Sequence, residues 1–382
     1  MLRAVAVGVA LVLLNAWPAA LAQSDDEVSS AAGEAAVQPW SGWWWPAGAS
    51  SGPTLFAPDG PLDKYDRYVA ATSGESPGTR AWEREEMYVP GVPWAGHCNG
   101  FAAAALLEPE PTQPVDVLGM TFSVADQKGL LVDYHFGDAA AWSFGADTDL
   151  NPAAFHRMLL TWLGGTGQGF VLTYDMGKGE VWSYPVYKFE SHWTADPSRE
   201  GVWRVTTTVW MADMDVPANF VGTKVYPGPA GKTFEYTLEG DPTNPDDGAW
   251  TGASRSGRFA HPGRIWYPEP TVRNTIEDRD LVSPGLDRQT IANILAGSDG
   301  TDLTPTPAPT EVAVPTPTLT PTGVATPSPT MTPTGAGVPV PTTTPTAAST
   351  PTPAPTAAAG RTPTPTPHVT PPATPTRVRP RP

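Results

Sequence analysis

Val181-Trp182-Ser183-Tyr184-Pro185-Val186-Tyr187-Lys188-Phe189 is one of five segments of the chain that are rich in valine, threonine and aromatic residues. Glycine, proline or aspartate bounds each of them, which is the pattern of short β-strands. The predicted strands are residues 170–174, 181–189, 202–210, 219–226 and 233–238. Because strands that follow one another without intervening helices pair antiparallel, this half of the chain predicts a largely antiparallel sheet.

The sequence ahead of these strands predicts helices. An alanine-rich run at residues 99–107 ends at two prolines. Asn151 is a favourable N-cap before Pro152, and the apolar run at residues 153–163 ends at two glycines. A last amphipathic helix is predicted at residues 287–295. Helices early and an antiparallel sheet late indicate an α+β fold.

The ends of the 382-residue chain differ from its middle. Residues 1–22 predict a signal peptide, since an apolar run follows Arg3 and Ala20-Leu21-Ala22 is an A-x-A cleavage site before Gln23. The alternative, a membrane anchor, is disfavoured because the run falls short of the ~20 apolar residues that a span needs. We therefore expect a secreted, extracellular protein without a transmembrane span, held at a cell surface only by other means.

Three further regions follow from composition. Small and acidic residues at 23–40 predict a flexible lead-in, and residues 41–300 predict the catalytic domain. Thr-Pro repeats dominate residues 301–382 and predict a disordered stalk of extended polyproline II character. Whether its threonines carry O-linked sugars or the stalk is a plain spacer stays open.

Charge and cysteine content exclude several classes of protein. The formal net charge is −16, which disfavours nucleic acid as a partner because phosphate binding needs clustered Lys and Arg. The 15 tryptophans supply aromatic surface for a sizeable core. Cys98 is the one cysteine, so the chain forms no internal disulfide.

Cys98 lies in Pro93-Trp94-Ala95-Gly96-His97-Cys98-Asn99-Gly100-Phe101, where it opens the first predicted helix. A helix N-terminus favours a thiolate, and its free N–H groups can stabilise an oxyanion. The alternative is a buried structural thiol. An unpaired thiol in an exported protein is exposed to oxidation, which favours the interpretation of Cys98 as a nucleophile.

A cysteine nucleophile needs a base and a group that orients the base. His156 and then Asp175, at the end of a predicted strand, follow Cys98 in an order that suits papain-like and transglutaminase-like cores. His97 is disfavoured because adjacent side chains diverge at a helix start, and His192 is the reserve base. The alternative for His156 is a polar position on an amphipathic helix.

The segment around Cys98 resembles the nucleophile segment of the transglutaminase elicitor family, secreted enzymes of oomycetes and bacteria. The Val181–Phe189 run resembles that family's V-W-N-Q-P-V-x-x-F fragment, although Ser183 and Tyr184 replace Asn and Gln, so recognition by plants is not carried over. The remaining landmarks are Trp43-Trp44-Trp45-Pro46, Leu62-Asp63-Lys64-Tyr65-Asp66, Lys128-Gly129-Leu130-Leu131 and Pro152-x-x-Phe155-His156. The resemblance covers about residues 42–240.

The resemblance implies a Cys-His-Asp acyltransferase on a papain-like core, active with Ca²⁺, that joins glutamine side chains of proteins to lysine amines. Carried over residue by residue, it implies Cys98 as nucleophile, His156 as base and Asp175 as the orienting carboxylate. In transglutaminases generally this histidine begins a strand, whereas the sequence here predicts a helix at His156.

Two rival functions stay open at this stage. The same triad would serve a papain-like cysteine peptidase, and a non-enzymatic, Trp-rich surface module would bind polysaccharide or protein. Trp82 or Trp94 could shield a thioester from water, although core packing is the commoner role. Asp147, Asp149 and Asn151 alternate like calcium ligands, although capping and turn formation explain them more simply.

Overall fold

A computed structural model describes residues 22–23, 28–48, 52–145, 150–273, 275–276 and 279–300. The chain divides into Met1–Thr320, which contains all of these residues, and Pro321–Pro382. The helices are α1 (Pro61–Ser73), α2 (Thr79–Trp82), α3 (Cys98–Leu107), α4 (Val124–Phe136), α5 (Pro152–Met158), α6 (Gly164–Thr166) and α7 (Arg288–Leu295). Glu83–Met87 and Leu159–Leu163 are π-helical turns that continue α2 and α5, and Gly252–Ser254 is a 3₁₀ turn.

The strands are listed in chain order. They are β1 (Ala22–Gln23), β2 (Val28–Glu34), β3 (Val115–Val117), β4 (Met120–Phe122), β5 (Asp138–Phe144), β6 (Phe170–Asp175), β7 (Val181–Ala195), β8 (Val202–Ala212), β9 (Val225–Tyr226), β10 (Lys232–Glu239), β11 (Asp247–Trp250), β12 (Arg264–Arg273), β13 (Thr275–Ile276) and β14 (Arg279–Asp280).

The main sheet runs β11-β10-β8-β7-β6-β12-β5, and every pairing along it is antiparallel. The long strand β7 is its centre: its first part pairs with β6, with Asp175 opposite Val181, and its later part pairs with β8. Most of the helices precede most of the sheet strands in the chain. This combination of helices and an antiparallel sheet confirms the predicted α+β class.

Helices α3 and α4 pack closely because their contact surface is made of small residues. The alanines at 102–105 of α3 are buried, and a Cβ on Gly100 would stand only 2.3 Å from the carbonyl oxygen of Val132 in α4. Asn99 then donates from its side chain to the Phe136 carbonyl, 3.0 Å away. These contacts fix the start of α3, where Cys98 lies.

Several sequence predictions are confirmed and others need correction. Asn151 caps α5 by accepting from the Ala153 amide, and strands 170–174, 202–210 and 233–238 are present and one or two residues longer, while strand 181–189 continues to Ala195. The prediction of a strand at 219–226 is wrong except for β9. The loop before β9 is held by other bonds: Lys128 donates to the Phe220 carbonyl, and the Gly222 amide donates to Glu110.

The prediction of a flexible lead-in at residues 23–40 is wrong over much of its length. Strand β2 pairs antiparallel with the second half of β7, where Val28 lies opposite Thr194 and Glu34 opposite Lys188. Gly33 allows this strand to approach Gly164 and Phe189, since a Cβ there would stand 2.7 Å from each. The edge of β7 supplies hydrogen-bond partners for the backbone of residues 28–34, and the composition of this segment does not reveal that such partners exist.

Most of the predicted signal peptide and all of the predicted stalk at 301–382 lie outside the described residues. None of the helices within the described part of the chain is long and apolar enough to cross a membrane.

Candidate active site

The turn before α3 is held by the backbone of the Trp43–Pro46 segment. The His97 amide donates to the carbonyls of Trp44 and Trp45, at 2.8 and 3.2 Å, and the Ala47 amide donates to Ala95. Gly96 lies flat against the Trp44 ring, because a Cβ would stand 2.4 Å from it. The tryptophan segment therefore fixes where α3 begins.

Cys98 is the first residue of α3, and its thiol faces β7. The Cys98 Sγ lies 3.7 Å from the Val181 carbonyl oxygen and is a donor to it, and the residue is 5% exposed. Burial raises the pKa of the thiol, although contacts with Ser183 oppose this shift. The sequence predicted a thiolate stabilised by the helix N-terminus; in the structure burial outweighs that effect.

A buried polar chain backs the thiol on the sheet side. The Ser183 and Thr173 hydroxyls lie 2.9 Å apart on neighbouring strands, and the Trp266 indole donates to Thr173 at 3.1 Å. Ser183 stands at the position where the resembled family has Asn. The substitution is visible in the sequence, whereas the contact between Ser183 and the thiol is visible only in the structure.

Tryptophans pack around the loop before α3 and the turn between β6 and β7. The Trp44 ring contacts the Trp182 ring edge-on, at 5.5 Å between centroids, and Trp43 lies 5.7 Å from Trp44. The Trp182 indole donates to Glu180 at 2.7 Å, which ties it to the turn between β6 and β7. Trp94 approaches the same turn at Gly179, where a Cβ would stand 3.6 Å from its ring.

The structure does not bring His156 to Cys98. The imidazole of His156 is buried in α5, with Nδ1 2.7 Å from the Tyr236 hydroxyl and the ring 5.4 Å from Trp193. Cys98 contacts Ser183 and His156 contacts Trp193. These two contact points lie ten residues apart on β7, which corresponds to roughly 33 Å of extended strand. Burial lowers the pKa of His156 to about 4, partly offset by the backbone of Pro242.

The reserve base, His192, lies equally far along β7. It lies within β7, because this strand continues to Ala195, beyond the predicted end at residue 189. Its side chain is exposed.

Asp175 is near the thiol but engaged in a turn. It ends β6 directly opposite Val181, whose carbonyl contacts Cys98. Its carboxylate accepts a hydrogen bond from the Gly177 amide at 2.6 Å. Among the described residues, the polar contacts of the Cys98 thiol go to Val181 and Ser183 and none goes to a histidine.

His97 faces away from the thiol. Its Nδ1 lies 3.0 Å from the Trp45 carbonyl, and its Nε2 lies 3.2 Å from a Glu83 carboxylate oxygen. Burial disfavours its charge, but the nearby charges of Glu83 and Asp133 raise the pKa of His97 to about 9. Sequence reasoning missed both carboxylates, because nothing in their spacing marks them.

The resemblance implies calcium, but the described residues do not supply an evident oxygen site for it. Asp147 and Asp149 lie outside the described residues, and Asn151 caps α5. Within the described part of the chain, one group of side chains has metal-ligand spacing: Glu83, His97 and Asp133. Its imidazole is a poor ligand for Ca²⁺, which prefers six to eight oxygens.

The chain is similar in structure to the GP42 transglutaminase from Phytophthora sojae, known from a crystal structure. The sequences are 20% identical, the TM-score is 0.49, and the similarity covers 70% of this chain and 91% of that chain. No family model matches the chain. No curated protein matches it either. A likeness of this extent leaves the chemistry to be argued from the residues themselves.

Proposed function

We propose that this protein is a transglutaminase-type acyltransferase whose nucleophile is Cys98. One observation carries the proposal: three separate motifs of the family resemblance meet around a single thiol. Cys98 belongs to the first, Val181 and Ser183 to the second, and Trp44, packed on Trp182, to the third. A thiol at a helix start that faces an antiparallel strand suits the plan of transglutaminase-like and papain-like cores.

The chemistry would run through a thioester. The Cys98 thiol gives its proton to water, the thiolate attacks the carboxamide carbon of a protein glutamine, and the carbon–nitrogen bond breaks as the nitrogen takes up a proton from water and leaves as ammonia. A lysine amine then attacks the thioester and gives a proton to water as the isopeptide bond forms, and the carbon–sulfur bond breaks to restore the thiolate. N–H groups at the start of α3 would stabilise the oxyanion in both steps.

We assign Asp175 to this site by its register opposite Val181 and leave His156 out of it. For either step, the site has to open, because the thiol is 5% exposed. Closure around a thioester would exclude water and favour an amine over hydrolysis, which would separate this activity from that of a peptidase.

One observation favours a second candidate, a non-enzymatic binding module. The thiol is buried, its pKa is raised, and its polar contacts among the described residues include no histidine. In that case Cys98 would be a structural residue.

Incorporation of a labelled primary amine into casein, with and without Ca²⁺, tests the proposal. We expect Cys98→Ala to remove incorporation, a loss of several orders of magnitude, while the circular dichroism spectrum stays that of the wild type. The matched control is His156→Gln, which should retain activity within ~10-fold because this side chain is remote from the thiol.

Three outcomes would count against the proposal. Residual activity above a tenth of wild type in Cys98→Ala would rule out Cys98 as the nucleophile. A wild-type protein without amine incorporation but with casein cleavage would be a peptidase. Absence of both, with a thiol that an alkylating reagent does not modify in the folded protein, would support the binding module.

We also propose that the protein works outside the cell on protein substrates. The support for export is the signal-like segment at residues 1–22. Sequencing the N-terminus of protein recovered from the culture medium would test this, with Gln23 as the expected first residue.

A further inference from the structure

Three buried side chains from separate segments meet behind the start of α3. Glu83 belongs to the π-helical turn after α2, His97 is the N-cap of α3, and Asp133 lies in α4. Their exposed fractions are 0%, 1% and 0%. The His97 Nε2 lies 3.2 Å from a Glu83 oxygen and 3.9 Å from an Asp133 oxygen. We call this group the His97 cluster.

The polar atoms of the His97 cluster lack hydrogen bonds. Within the part of the chain that the structure describes, both carboxylate oxygens of Glu83, both of Asp133 and the His97 Nε2 have no hydrogen-bond partner. The 3.2 Å contact is thus close without having the geometry of a hydrogen bond. Since buried polar groups in native proteins are almost always satisfied, five such atoms around one point need an explanation.

The orientation of the imidazole supplies a second observation. The Nδ1 of His97 lies 3.0 Å from the Trp45 carbonyl oxygen, and a hydrogen bond donated there holds the ring with its Nε2 directed toward the carboxylates. Metal-binding histidines are usually held in this way by a bond from the other ring nitrogen. Trp45 presents its carbonyl from a left-handed backbone conformation, φ 48°, which is strained for a bulky residue.

We propose that Glu83, His97 and Asp133 bind a divalent transition-metal ion, of which Zn²⁺ and Mn²⁺ are the test cases. Two carboxylates and a neutral imidazole balance a dication. Metal–ligand bonds of about 2.0–2.2 Å hold ligand atoms roughly 3–3.6 Å apart, close to the distances in the cluster. The donor set suits these ions rather than Ca²⁺, so this site is distinct from any calcium dependence implied by the resemblance.

The ion has a structural role, because the cluster is closed to solvent and no substrate could reach it. It joins the turn after α2, the N-cap of α3 and the last turn of α4. The next residue after the ligand His97 is Cys98, so the ion also fixes the position of the thiol. The site does not depend on the proposed acyl transfer and would exist in a non-enzymatic module as well.

Metal content measured by mass spectrometry tests the site. Full-length protein without a histidine tag is produced with Zn²⁺ and Mn²⁺ in the medium and then dialysed. We expect about one equivalent of one of these metals per chain in the wild type and at least a tenfold lower content in Glu83→Gln/Asp133→Asn. The control is Glu108→Gln, which alters another buried carboxylate beside a histidine and should keep its metal.

A second measurement uses wild-type protein alone, in case the variants do not fold. Removal of the metal with a chelator should lower Tm, and Zn²⁺ or Mn²⁺, but not Ca²⁺, should restore it. Replacement by Co²⁺ should give ligand-field absorption without a sulfur-to-cobalt charge-transfer band. Such a band would place Cys98 among the ligands and overturn the assigned set.

The proposal fails if wild-type protein contains no metal and if neither Zn²⁺ nor Mn²⁺ binds it or changes its Tm. The His97 cluster would then be a buried group of carboxylates that share protons with an imidazole. Equal metal content in the wild type and in a folded Glu83→Gln/Asp133→Asn variant would also overturn it.

Discussion

Two buried clusters of one histidine and two carboxylates stand side by side on α4, and they are satisfied in different ways. The first is the His97 cluster, with Asp133 from α4. The second, which we call the His135 cluster, consists of Glu108, His135 and Asp138. All six side chains are buried, so the two clusters have nearly the same composition and burial and differ in their hydrogen bonds.

The His135 cluster is fully bonded. The Nδ1 of His135 lies 2.6 Å from Asp138 and its Nε2 lies 3.0 Å from Glu108. Each carboxylate also accepts from an arginine: Arg273 donates to Asp138 at 2.8 Å and Arg288 to Glu108 at 2.7 Å. The cluster thus contains three cationic groups for two anions when His135 is protonated.

The two imidazoles respond alike, whereas the carboxylates differ in their hydrogen bonds. Burial opposes the charge of both histidines, but the neighbouring carboxylates raise the pKa of His97 and of His135. Burial and then the charge of Glu83 raise the pKa of Asp133 well above its usual range, while the charges of His97 and Arg273 oppose this shift. Among the described residues, each carboxylate of the His135 cluster accepts a hydrogen bond from an arginine, and those of the His97 cluster accept none.

The largest effect should come from breaking the satisfied cluster. Asp138→Asn removes the charge that pairs with both His135 and Arg273, and loss of one partner from a buried ion pair costs about 3–5 kcal/mol. The free energy of unfolding from urea titration measures this loss. A loss below ~1 kcal/mol would mean that the ion pairs contribute little, and the comparison between the clusters would lose its basis.

A third buried histidine sharpens the comparison, because His156 has no carboxylate partner and its pKa is lowered to about 4. In the unfolded chain the pKa of this histidine is near 6.5, so the unfolded state binds a proton more readily than the folded state does. The contribution of neutral His156 to stability is therefore fully present above about pH 6.5. It should decline as pH falls toward 4, by roughly 3 kcal/mol in total.

His156→Asn tests this sign, since an amide cannot ionise and can still reach the Tyr236 hydroxyl. Urea titrations at several pH values between 7 and 4 should show a shallower loss of stability for the variant than for the wild type. Parallel curves would show that His156 is not held neutral by burial. His135 should behave in the opposite sense, because the stability from its raised pKa is lost as pH rises.

The smallest effect should come from the unsatisfied cluster without its metal. In chelator-treated protein, Asp133→Asn removes a carboxylate that has no hydrogen bond among the described residues, so the free energy of unfolding should change by less than ~1 kcal/mol or increase. With Zn²⁺ or Mn²⁺ restored to both proteins, the wild type should become the more stable one. If the metal-free variant loses as much stability as Asp138→Asn, the two clusters are equivalent.

Local sequence patterns were sufficient for most of the secondary structure. The N-cap at Asn151 and the valine, threonine and aromatic content of β6, β7, β8 and β10 are properties of neighbouring residues, and these elements lie where they were predicted. The prediction at residues 219–226 was wrong because Lys128 and Glu110, distant in sequence, hold that loop in an irregular form. Strand β2 was missed because its partner lies far along the chain.

The site was predictable only where it is local. The segment around Cys98 places the thiol at a helix start, and the structure has α3 begin there. The chain order Cys98, His156, Asp175 did not indicate that α5 packs on the far part of β7, beside Trp193. The His97 cluster has no signature in sequence spacing, since its members come from three different segments.

Strand β2 has a consequence for how the molecule meets other copies of itself. Without it, the later half of β7 would be an open edge, with unpaired amides and carbonyls beside Phe189 and Trp193. Such an edge is a template for a strand from another chain. Because the chain's own residues 28–34 occupy it, the long strand β7 is not available to another chain, and the edge that remains is the short strand β2, which β1 pairs at Ser29 and Ser30.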